Sequence, residues 1–268
     1  MNRKTISILL VVVLALLVIV SAGCQKLQAR DQLNKGVQAF RGGAYPVAVE
    51  HFKQAVSLDP QFPVARVYLA MAYLMQYVPG AESAENNRMA QAAHEEFLRV
   101  LEQDPKNTTA IASIAQLYFY QKKLDESQTW YRKLVEIDAN NKAAYYTLGV
   151  IAWTKTFQPR MEARAQMGMA PDAPGPLKDK KVRLELVSKN LPIIEAGLQD
   201  LQKALSIDNQ YDDAMAYMNL LHRERADLAD STEAYRKDTQ AADDWVDKTM
   251  EIKKNKAAQA PAGGAVTP

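Results

Sequence analysis

The chain is poor in the residues that staple, ligate or catalyse. It has a single cysteine, Cys24, among 268 residues, so no internal disulfide can form. It has three histidines, His51, His94 and His222. None has a second histidine three or four residues away, and none stands in HExxH spacing, so no metal is expected. No GxSxG, GxGxxG or GxxxxGK[ST] stretch occurs, which removes the local signatures of a nucleophile elbow, a dinucleotide turn and a phosphate loop. Glu95, Glu96 and Glu102 lie close in sequence, but acidic residues on one helix are too common to mark an acid–base pair. The expectation is a chain that is not an enzyme and holds no cofactor.

Net charge is also lacking. The formal value is +2. Arg3 and Lys4 supply that excess; without them, 31 basic residues meet 31 acidic ones. A nucleic-acid binder normally carries a basic excess or stripe, so nucleic acid is not an expected partner. With 48% hydrophobic and 24% charged residues, the chain has the composition of a folded domain with a real core.

What is present first is a repeat. Leu33 to Pro60 reads as helix, tight turn at Arg41-Gly42-Gly43, helix and stop. Pro46 sits near the start of the second helix, where its missing N–H costs nothing. Gly36 and Ala48 are small residues where two antiparallel helices cross, Phe52 fills the gap, and Pro60 ends the helix. The stop Val56-Ser57-Leu58-Asp59-Pro60 returns as Leu101-Glu102-Gln103-Asp104-Pro105, as Val135-Glu136-Ile137-Asp138-Ala139 and as Leu205-Ser206-Ile207-Asp208-Asn209. The intervals are about 45, 34 and 70 residues, or one period of roughly 34 with insertions of about 11 and 36.

On these residues, 29–228 resembles the tetratricopeptide-repeat family. The pattern is carried by Gly36, Ala48, Phe52, Ala55 and Pro60, then by Leu69, Ala70, Tyr73, Ala93, Phe97 and Pro105. It continues through Ile114, Ala115, Tyr118, Ser127, Tyr131 and Leu134, with Ala139 in place of proline. Leu148, Gly149, Gly197, Leu201 and Ala204 carry it through the fourth unit, and a degenerate fifth begins at Tyr211. The resemblance implies an all-α solenoid of about five helix-turn-helix units, with an insertion in the fourth and a C-terminal capping helix. Units are expected near 29–62, 63–107, 108–141, 142–210 and 211–228, the repeats spanning 31–228.

Within that frame, the helix from Val64 to about Tyr77 is apolar almost all round, so it should be buried or cover a partner. Ala81 to Asn87 reads as a polar loop. Asn107-Thr108-Thr109 matches a glycosylation sequon but reads as a helix start. The fourth unit's first helix is expected to end near Phe157, before Gln158-Pro159-Arg160, with a further helical piece at Met161–Met167. The insertion, 154–190, then passes through Met169 to Pro176, whose prolines and glycine exclude regular helix. Helix resumes near Lys178, with Pro192 as a candidate bend. Eight basic and four acidic residues make Thr154–Asn190 the basic region of the chain. Asp230 with Glu233 fits a capping box for a terminal helix, 229–256. Residues 257–268 read as a disordered tail.

Residues 1–23 have a basic start, an apolar run from Ile6 to Val20 and small residues before Cys24. This is the pattern of a signal peptide. Val20-Ser21-Ala22-Gly23-Cys24 resembles a bacterial lipobox, although Ser21 stands where leucine is usual. The resemblance implies cleavage before Cys24, acylation of its sulfur and new amine, and a lipidated leader at 24–30. The rival reading is an uncleaved anchor helix. Either places the repeats across the inner membrane, because Arg3 and Lys4 stay cytoplasmic. Gln25 is not the aspartate that retains enteric lipoproteins in the inner membrane, which points to the outer one. The expected setting is periplasm-facing and lipid-anchored.

In the tetratricopeptide family the first helix of each pair lines a concave face. The resemblance implies that Leu33, Val37, Phe40 and Arg41 belong to that face, with Val67, Tyr68, Met71, Leu74 and Met75 from the second unit. Ala112, Ser113, Gln116, Phe119 and Tyr120 follow from the third, and Tyr146, Thr147, Val150 and Trp153 from the fourth. The candidate peptide-binding set is Phe40, Tyr68, Met71, Met75, Gln116, Phe119, Tyr120, Tyr146 and Trp153. Aromatic rings bury much area with few torsions, and methionine adapts its shape, so such a face suits an apolar peptide or helix. The expected function is a membrane-anchored, non-enzymatic scaffold binding a protein or peptide partner in the cell envelope. The alternatives are a small-ligand or lipid carrier with an enclosed aromatic pocket, and a face filled by the chain's own insertion.

Overall fold

The computed structural model describes residues 24–259; the expected signal peptide and the end of the expected tail lie outside them. Every regular element among the described residues is a helix. Helix α1 covers 24–41, so the expected leader is already helical. It is followed by α2 (Tyr45–Leu58), α3 (Pro63–Leu74), α4 (Ala84–Gln103) and α5 (Thr108–Tyr120). Then come α6 (Leu124–Ile137), α7 (Lys142–Gln166), α8 (Lys180–Ile207), α9 (Asp212–Asp227) and α10 (Thr232–Gln259). The described residues form two compact units that divide after Lys123.

In the first unit, proline occupies the opening turn of both α2 and α3, where it costs no hydrogen bond. Gly36 is a contact glycine. A Cβ there would stand 2.4 Å from Cε1 of Phe52, so only glycine admits the ring. Phe52 is fully buried with Ala48, Val49, Leu69 and Ala72. Of α3, Ala65, Arg66, Leu69, Ala70 and Ala72 are buried. Arg66 donates to Glu96 of α4 at 2.7 Å, an ion pair that is largely buried.

The loop expected at Ala81–Asn87 is shorter, because α4 begins at Ala84. The Ser83 hydroxyl accepts the Asn86 amide, a helix N-cap. The Asn86 side chain reaches back, accepting from Val78 N at 2.7 Å and donating to the carbonyls of Val78 and Ala81. One amide side chain thus replaces the missing backbone ladder of the turn. The Asn107 carboxamide caps α5 by accepting from Ala110 N, the helix start read from that stretch.

In the second unit, Gly149 of α7 faces α8 so closely that a Cβ would lie 2.4 Å from Cγ of Leu201. Arg132 of α6 makes a two-pronged bond to Asp200 of α8, both distances 2.6 Å. Around these helices Ile194, Leu201, Ala204, Met215 and Leu221 form the core.

The fourth unit departs from expectation. Helix α7 does not stop near Phe157 but runs through Pro159 to Gln166, and α8 runs through Pro192. A proline in a helix interior removes one hydrogen bond, which the packing of this hairpin outweighs. The insertion is therefore a lengthening of both helices, joined by an irregular stretch at 167–179. At the end of the chain, α10 packs antiparallel on α9 as the second helix of a fifth pair. It starts at Thr232, with Ser231 Oγ rather than Asp230 accepting the Ala234 amide, and extends three residues into the stretch read as tail.

Candidate partner-binding face

The nine expected face residues sit on first helices or at their ends, and none is fully buried. In the first unit Phe40 on α1 meets Tyr68 on α3 edge-on, with centroids 6.1 Å apart. Phe40 also touches Tyr45 at 5.3 Å, and Tyr68 stacks on buried Phe52 at 5.4 Å. The backs of these rings are thus fixed in the core. Met71 is partly buried, and Met75, just past the end of α3, is 51% exposed. On α5, Gln116 donates to the Tyr120 hydroxyl at 2.8 Å, and Phe119 lies against the Tyr120 ring.

In the second unit the aromatic side chains form a continuous ladder on α7 and α9. Tyr146 meets Tyr217 at 5.6 Å and Tyr211 at 5.2 Å. Trp153 meets Tyr217 at 5.7 Å and Phe157 at 4.9 Å. All five rings are partly exposed. Burial is the main cause that raises the phenol pKa values of Tyr146 and Tyr217, so both hydroxyls stay neutral at physiological pH. A cation flanks each end, Lys142 over Tyr211 and Arg160 over Phe157. Tyr211, Tyr217 and Phe157 are absent from the sequence-derived set. Carrying the same repeat positions one unit further would have reached Tyr217; nothing in the pattern marks the other two.

The connection at 167–179 is tied down by Arg164 and Asp227. Arg164, 2% exposed, donates to both oxygens of Asp227 at 2.7 Å and to the carbonyls of Ala170 and Ala173. Leu177 N donates to Asp227 O, and the Leu177 side chain is fully buried. Arg160 pairs with Asp227 at 2.9 Å and approaches Glu224 at the same distance. The latter contact is not aligned as a hydrogen bond, and both Glu224 oxygens lack one. Burial pushes the Glu224 carboxyl up to about 7; Arg160 opposes the shift and Asp227 adds to it. No local sequence signal marks this cluster, because its two halves, Arg160 with Arg164 and Glu224 with Asp227, lie 60 or more residues apart, as in the pair separated by 67 positions.

Residues 109–141 match the tetratricopeptide repeat family. A crystal structure of MamA protein superposes with TM-score 0.58 at 13% identity, covering 88% of this chain and 98% of that one. The chain has the tetratricopeptide-repeat fold. MamA from Desulfovibrio magneticus RS-1 is similar at TM-score 0.57 and 16% identity, over 87% of this chain and 98% of its own. YrrB, described as a tetratricopeptide protein with an unusual peptide-binding site, gives 0.53 at 12% identity, covering 84% and 87%. No curated protein sequence matches.

Proposed function

We propose that this chain is a non-enzymatic protein-interaction scaffold of the bacterial cell envelope, held at a membrane by lipid on Cys24. It binds a peptide or helix on its aromatic and methionine-bearing first helices. The observation that carries this reading is the ladder Tyr146–Tyr217–Trp153. Its rings are held by one another yet partly exposed. Rigid, preordered aromatic groups lose little entropy on binding and dominate interface energetics. The partly exposed sides of these rings are the surface offered to a partner. Tetratricopeptide repeats are interaction modules, and YrrB has a peptide-binding site, both in keeping with this reading.

Photocrosslinking from position 153 in intact cells tests it. A benzophenone amino acid there should give an adduct with a defined polypeptide. Adducts with lipid or glycan alone would replace the scaffold by a carrier.

A further inference from the structure

One carboxylate stands at the aromatic ladder without a partner of its own. Tyr146 and Trp153, seven positions apart, share a face of α7, and Tyr217 of α9 meets them at 5.6 and 5.7 Å. These rings pack against the unit's core and stay partly exposed. Asp213 is exposed in the first turn of α9. Burial, and then neighbouring charge that includes Asp213, pushes up the phenols of Tyr146, Tyr211 and Tyr217. The negative charge of Asp213 thus reaches all three.

The other charges at this end are paired. Lys142 bonds Asp208 at 2.6 Å while lying over the Tyr211 ring. Asp212 faces α10, where Lys256 bonds it and Lys253 stands 4.0 Å away. The Asp213 carboxylate takes no hydrogen bond and joins no ion pair among the described residues. At the far end of the ladder, Arg160 is engaged by Asp227 and faces Glu224.

The chain itself shows what such rings hold. Trp130, Phe157, Tyr211 and Trp245 each carry a cation 4.9–5.6 Å from the ring centroid. At Tyr211 that ammonium is shared with a carboxylate, Asp208. Tyr146 and Tyr217 with Asp213 offer the same two components, and among the described residues neither ring has a cation over it.

We propose that the ladder's partner is a peptide bearing a lysine or arginine, whose cationic head lies on Tyr146 and Tyr217 beside Asp213. This rests on the ladder being the scaffold's binding face, and it adds the charge of what is bound there. A cation over a ring is attracted by the ring quadrupole, most strongly where water is excluded. A long basic side chain also lays its methylene stem along the neighbouring ring, which a small free cation cannot do. The unpaired carboxylate repels an acidic partner and so contributes specificity.

The test uses the full chain and nonapeptide pools carrying a photoreactive leucine, randomised except at a fixed central residue. That residue is lysine, norleucine or glutamate. After irradiation, mass spectrometry maps the adducts and titration gives apparent affinities. The lysine pool should label 146–157 and 211–217, and bind about fivefold or more tighter than the norleucine pool. The glutamate pool should bind more weakly still. Asp213→Asn should remove most of the lysine preference. Asp247→Asn, which removes the same charge at an exposed position on α10, should leave the preference unchanged. High salt should shrink it. Equal labelling of the ladder by all three pools, or a preference that survives Asp213→Asn, overturns the inference and leaves the aromatic face as the scaffold's site. Labelling of the ladder by none of the pools overturns both. Choline that blocks the lysine pool at or below the pool's own concentration would make this a small-cation site and overturn the peptide assignment.

Discussion

Trp153 of α7 and Tyr217 of α9 meet edge-on, with ring centroids 5.7 Å apart and planes at 80°. This contact joins the first helices of two successive pairs and leaves both rings partly exposed. Edge-to-face pairs contribute about 0.5–1.5 kcal/mol beyond their buried area. The pair thus fixes the ladder's geometry without consuming its surface.

The crossing of α7 and α8 sets a first prediction. Gly149→Leu would place a side chain where Leu201 already sits, since even a Cβ would be 2.4 Å from it. The α7–α8 hairpin should open, costing about 1–3 kcal/mol or more. A denaturant midpoint equal to the wild type would show that the helices do not cross at this glycine.

The buried cluster sets a second. Arg164→Met leaves Asp227 buried with weaker compensation and orphans the carbonyls of Ala170 and Ala173. Breaking one partner of a buried pair costs about 3–5 kcal/mol. The double variant Arg164→Met/Asp227→Leu should recover part of that loss. Urea unfolding of wild type, single and double variants measures both effects.

A third prediction is a pH dependence. Folded Glu224 titrates near 7 against an ordinary 4.5. Between those values the folded chain holds a proton that the unfolded chain releases. Its contribution to stability is therefore greatest below about 4.5 and is lost as pH rises through 7. His94, whose pKa is lowered by burial, acts in the opposite sense below its ordinary 6.5. The comparison with Glu224→Gln isolates the glutamate. Between pH 5 and 8 the wild type should lose stability with rising pH relative to this variant. Parallel stability curves would contradict the assignment.

Much of this fold is legible in the sequence because its signals are local. Pro46 and Pro63 mark helix starts, Asn107 caps α5, and Gly36 pairs with Phe52 sixteen positions away, within one hairpin. The helix end expected before Pro159 does not occur, because tertiary packing outweighs one lost hydrogen bond. The Asn86 turn and the Arg160–Arg164–Glu224–Asp227 cluster have no local signature. Of the candidate face, the nine expected residues were chosen by repeat position. Tyr211 and Phe157 join it only through packing.

Anchoring gives a fourth prediction. Cys24 is exposed and unpaired with any other cysteine. On the proposed reading, wild-type protein takes up labelled palmitate and Cys24→Ser does not. Each buried CH2 of the acyl chains contributes about 0.8 kcal/mol to membrane attachment, so the variant should also leave the membrane pool. Wild-type protein without label would remove the lipid anchor from the account.

The scaffold reading is tested most directly by Trp153→Ala, with thermal melting and partner affinity measured on the same preparation. The partner is the polypeptide captured by crosslinking from position 153. The account predicts an affinity loss of about 2 kcal/mol or more with a much smaller change in stability. A stability loss of about 3–5 kcal/mol with unchanged affinity would make Trp153 a core residue and contradict the aromatic face as the binding site.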